Sequence, residues 1–119
     1  MVSRRARVAV AVVVLVLGAL VAVSLAQQRA LAAERTHVTD RLDDASCLSG
    51  WGVDEGTATR EVSVTGAGVA GLAVTVRVPY AYTRPLGNET LHADAAAAAT
   101  YRVSVTGAHR MAGDSIDPC

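Results

Sequence analysis

Residues 8–26, "VAVAVVVLVLGALVAVSLA", form an unbroken stretch with no charged side chain and a single hydroxyl, Ser24. As a helix rising about 1.5 Å per residue, a run of this length matches the ~30 Å hydrocarbon thickness of a bilayer. Inside lipid a helix also satisfies every backbone N–H and C=O group, which an open chain does not. The first expectation is therefore a transmembrane helix. Arg4, Arg5 and Arg7 precede it with no acid among them. The positive-inside rule puts residues 1–7 in the cytoplasm as a basic tip and sends the rest of the chain outside, a single-pass protein of the cell membrane.

Two other fates for the same stretch stay open. Ser24-Leu25-Ala26 places small residues where signal peptidase cuts, which would yield a secreted chain beginning at Gln27. "SRRARV" is similar to a twin-arginine signal, although Arg7 stands where that signal prefers an apolar residue. A lipid-anchored cysteine is excluded, because the first cysteine, Cys47, lies far beyond the apolar run.

Residues 27–45, "QQRALAAERTHVTDRLDDA", contain no Gly or Pro and are rich in helix formers, and Leu31, Val38, Leu42 and Ala45 fall on one helical stripe. The spacing predicts that one helix runs from Arg7 to about Asp44, half in lipid and half as an amphipathic stem. The alternative is a separate surface helix after a hinge.

Beyond Ser46 the segment "CLSGWGVDEGTATR" is turn-rich, and from Glu61 the period changes to two. Val62 and Val64 alternate with Ser63 and Thr65. In "LAVTVRVPYAY" the residues Leu72, Val74, Val76, Val78, Tyr80 and Tyr82 share one face. A third run over 95–105 sets Ala97, Ala99, Tyr101, Val103 and Val105 against Thr100, Arg102 and Ser104. Its alanine-rich start is equally compatible with helix, but strict polar alternation and the turn formers Pro85, Gly87 and Asn88 favour a strand. These elements predict an α+β chain in which residues 46–119 form a small antiparallel sheet of three or four strands. So small a sheet needs cover for its apolar face, and the stem is the available cover. The string "VSVTGA" occurs at 62–67 and again at 103–108, which the narrow Val/Thr/Ser alphabet of two strands explains.

The chemistry-bearing residues are sparse. Gly66, Gly68 and Gly71 spell G-x-G-x-x-G, but a strand follows where pyrophosphate binding needs a helix N-terminus, so a hairpin is expected and no nucleotide cofactor. His37, His92 and His109 have no zinc-ligand spacing with Cys47 or Cys119, and no nucleophile motif is present. No catalytic, cofactor-binding or metal residue is assigned, and no small-molecule substrate. Downstream of Gln27 eight arginines face eleven acids, a balance that argues against nucleic acid. Cys47 and Cys119, the two cysteines, both fall in the part expected outside, where disulfides persist; a bond between them, two free thiols and an intermolecular bridge are the alternatives. Asn88-Glu89-Thr90 is an N-glycosylation sequon in an expected outer loop. Trp51, the sole tryptophan, is expected beside the stem; an exposed position would instead favour ligand binding.

The plan of basic tip, apolar helix, amphipathic stem and small sheet resembles type IV pilin-like proteins. The stretch "VTVRVPYAYTRPLGNETLHADAAAAATYRV" is similar to the end of TadE-like pseudopilins, which close with an alternating strand, a short loop and an alanine-rich strand. The resemblance implies a structural, non-enzymatic subunit or accessory of a cell-surface assembly. Its partners would be the lipid bilayer and other membrane or pilin-like subunits, met through the N-terminal helix. A secreted or membrane-anchored extracytoplasmic binding module is the alternative.

Overall fold

The computed structural model describes residues 3–53 and 62–119. Part of the turn-rich stretch after Ser46, together with Glu61 and the first two residues of the basic tip, lies outside the described residues. One helix, α1, runs over Arg4–Asp43, and five strands follow: β1 (Gly50–Val53), β2 (Val62–Gly68), β3 (Gly71–Leu86), β4 (Glu89–Ser104) and β5 (Gly107–Gly113). The architecture is α+β, helix first and antiparallel sheet second.

The helix starts a turn earlier than the apolar run. The Ser3 side chain accepts from the Ala6 N–H and satisfies one of the unpaired donors at the helix start, so the three arginines belong to the helix. At the other end the Asp44 N–H reaches back to the Asp40 and Leu42 carbonyls. Ala45, expected on the apolar stripe, therefore lies just past the helix. With no hinge over its length, α1 extends about 60 Å. The whole molecule measures 80 × 25 × 18 Å, so much of the helix stands clear of the sheet.

The long hairpin of β3 and β4 is the spine of the sheet, paired from Leu72 with Val103 to Leu86 with Glu89. On its β4 side lies β5, and on its β3 side lie two short strands end to end: β2 along residues 71–76 and β1 along residues 80–83. Pro79 falls in the interval between them, where β3 has no partner on that edge among the described residues, a position that tolerates the missing N–H. The two strands beyond those expected, β1 and β5, carry little alternation of their own (GWGV and GAHRMAG) and owe their conformation to pairing with the spine.

The core lies between one helix face and one sheet face. Ala26, Ala30, Leu31, Val38 and Leu42 meet Val74, Val76, Val78, Ala97, Ala99, Tyr101 and Val103. The alanines of β4 serve a packing purpose: with only a methyl group on the inner face, the helix can lie close to the sheet. After β5 the chain folds back. The Asp114 N–H donates to the Ala98 carbonyl, the Ala98 N–H donates to Asp114 Oδ2, and Ile116 enters the core.

The two copies of "VSVTGA" take different structures. The first forms most of β2, with a bulge between Val64 and Gly66; the second ends β4, turns, and starts β5. They are not a repeated module.

Candidate functional site

The feature with the clearest functional consequence is the free half of α1. This one helix is long and apolar enough to cross a membrane, and no residue of its apolar window is buried. Val8, Val10, Val12 to Val14, Leu15, Val16, Leu17, Leu20, Val21 and Leu25 are all exposed, and they point in every direction around the axis. A helix apolar on all sides is suited to lipid or to other helices and not to water. The first helix residue buried by the sheet is Ala26, where the apolar run ends. Sheet packing thus begins where the hydrocarbon-matching segment stops.

The stem is fixed to the sheet by a polar cluster that the sequence reading did not assign. Glu34 is fully buried on the helix stripe. Its carboxylate accepts a 2.6 Å hydrogen bond from the Tyr101 hydroxyl of β4 and a two-pronged contact from Arg110 of β5, with Nε at 3.1 Å and Nη2 at 3.2 Å. Arg110 Nη2 also donates to the Asp114 carbonyl at 2.8 Å, tying the C-terminal segment to the same point. Burial, and then the bond to Glu34, push the Tyr101 phenol well above its ordinary pKa. The bond to Glu34 likewise holds Arg110 in its charged form. Both side chains are donors to a carboxylate, an arrangement that holds the helix and two strands together. A signal was legible: Glu34 sits three residues after Leu31 and four before Val38, and an acid on an apolar stripe demands buried partners.

The remaining residues singled out in the sequence are dispersed. Cys47, just beyond the stem, is bonded to Cys119 across a sequence separation of 72, with a Cα–Cα distance of 6.0 Å. Arg41 and Asp117 form an exposed ion pair beside it. Asn88 occupies the exposed tip of the β3–β4 hairpin, next to Gly87, whose positive φ the tight turn requires. Gly66, Gly68 and Gly71 belong to the β2–β3 hairpin. His37 is on the stem, His92 on β4 and His109 on β5. Trp51 is 40% exposed on the edge strand β1, opposite Tyr82 in register, and Tyr82 stacks on Tyr80 with ring centroids 6.2 Å apart.

No family model matches the chain, and no curated protein or solved structure does either.

Proposed function

We propose that this chain is a non-enzymatic, single-pass membrane protein with its basic tip in the cytoplasm and its sheet outside, serving as a pseudopilin-like structural or accessory subunit of a cell-surface assembly. The observation that carries the reading is the division of one continuous helix. Its lower half is apolar on every side with no buried residue in its apolar window, and its upper half is clamped to a small antiparallel sheet. A protruding apolar helix on a compact head suits side-by-side association in the membrane, as in the type IV pilin-like plan. Arg7 directly before the apolar run, and Val12 and Val13 where pilins carry a glutamate, set this chain apart from filament-forming members and favour an accessory that stays in the bilayer. The experiment is the N-terminal sequence of the mature protein, combined with co-purification of the full chain from native membranes. A start at Met1 or Val2 together with pilus or secretion components supports the proposal; a start at Gln27 in the medium refutes it.

A second reading, an extracytoplasmic binding module, is favoured by the exposure of Trp51 beside Tyr82. Saturable quenching of Trp51 fluorescence by a ligand of the purified chain is the measurement that would promote it.

A further inference from the structure

The two ends of the sheet are built differently. At the far end the β3–β4 hairpin turns through Gly87 and Asn88, two turn formers flanked by Leu86 and Glu89. At the end nearest the apolar helix the β2–β3 hairpin turns through Val69 and Ala70, and the β4–β5 hairpin through Val105 and Thr106. Valine is a poor choice for a water-exposed turn, where Gly, Asn, Asp and Ser are preferred. Yet both turns carry one at full exposure: Val69 at 113% and Val105 at 97%. The backbone permits this because in each turn the positive φ falls on the glycine that closes it, Gly71 at 125° and Gly107 at 142°, so the tip residues need no left-handed conformation.

Both tips lie at one level along α1. Val105, Gly68 and Gly71 line a single groove with Ala22, Leu25 and Arg29 of the helix. Ala22 and Leu25 belong to the last five residues of the apolar run. Arg29, the first charge after that run, donates from Nη1 to the Ser104 carbonyl. No charged residue occurs from 62 to 76 or from 103 to 108, so the base of the sheet is uncharged around both tips.

We propose that Val69 and Val105 are lipid-contacting residues, two fingers that seat the base of the sheet in the outer interface of the bilayer beside the helix exit. The inference rests on the membrane reading of α1 and deepens it: the head is held upright by three points of contact and not by the helix alone. Apolar side chains gain by entering the headgroup boundary, and Arg29 is placed where its guanidinium can meet lipid phosphates while its stem stays apolar. A lipid surface is favoured over a protein partner because the patch is continuous with the apolar helix surface and level with its end.

The test uses the native full-length chain in vesicles of phosphatidylcholine and phosphatidylglycerol, with a diazirine probe dissolved in the lipid and carbene adducts mapped by mass spectrometry. Leu86 and Met111, each 53% exposed and away from the base, are the internal controls. The expected result is labelling of residues 8–25 together with Val69 and Val105, the two tips several-fold above Leu86 and Met111. Labelled helix with tips no higher than the controls overturns the seating and leaves the anchor intact. Unlabelled helix in a chain that does not float with the vesicles overturns both.

Discussion

Replacing Arg110 with methionine isolates the contribution of the buried Glu34 cluster, because methionine keeps most of the side-chain stem and removes only the guanidinium. In the native chain the fully buried Glu34 carboxylate has three donors, two of them from Arg110 at 3.1 and 3.2 Å. In Arg110→Met only the Tyr101 hydroxyl remains, and the burial of Glu34 behind the helix leaves little room for water to replace the lost bonds. Removing one partner of a buried ion pair costs roughly 3–5 kcal/mol, since the other charge stays desolvated. Arg110 keeps a side-chain exposure of 24%, so the lower end of that range, about 3 kcal/mol, is the expectation. Against a total of roughly 5–15 kcal/mol for a domain, this is a large share. The assay is urea unfolding of the full chain in mild detergent, followed by Trp51 fluorescence. The triple variant Glu34→Leu, Tyr101→Phe, Arg110→Met removes every buried polar group of the cluster, and most of the loss should be recovered. A loss below about 1 kcal/mol for Arg110→Met, the range of an exposed pair, would falsify the assignment of this cluster as the clamp between stem and sheet.

Four further outcomes are expected. Tyr101 has its folded pKa raised above the ordinary 10.0, so the unfolded chain releases that proton first; stability is complete below pH 10 and falls as pH rises beyond it, and Tyr101→Phe should flatten most of the fall in the urea midpoint, leaving the part due to Tyr80, which burial also raises. Reduction of the Cys47–Cys119 bond, checked by alkylation and intact mass, should lower stability by about 4 kcal/mol, and thiols that alkylate in the unreduced native protein would contradict the bond. Gly71→Ala should cost about 2 kcal/mol or more, because φ is +125° and a Cβ would run into the Val103 carbonyl, whereas Gly52→Ala, with open space around it, should stay within about 0.5 kcal/mol. Asn88 at its hairpin tip should carry a glycan in a host that modifies Asn-x-Thr sequons, and an unshifted intact mass of protein from the native host would refute this.

By itself the sequence determined the elements that depend on local periodicity. The absence of Gly and Pro over 27–45, with Leu31, Val38 and Leu42 on one stripe, was enough for a stem, and alternation from Leu72 to Tyr82 and from Ala97 to Val103 was enough for the two long strands. The alanine run of β4 had no period of its own and was equally compatible with helix; the polar alternation of Thr100, Arg102 and Ser104 after it and the turn formers before it made it a strand. Val105, expected on the inward face of the third strand with Val103, instead lies in the β4–β5 turn at 97% exposure, because the chain reverses after Ser104, and nothing local brings positions 69 and 105 to the same end of a sheet.

Only the tertiary structure decided what depends on pairing across the chain. β1 and β5 have sequences without strand character and become strands because β3 and β4 offer open edges to them. The Glu34 cluster joins residues 67 and 76 positions apart. Where the apolar segment of α1 ends and the stem begins was fixed jointly, by an apolar run that stops at Ala26 and a sheet whose packing starts there. The physical reason is the range of the forces involved. Hydrophobic periodicity acts over a turn or two of chain and is written in order along it, whereas satisfying a buried charge or an unpaired edge requires groups that only a folded chain brings within hydrogen-bonding distance.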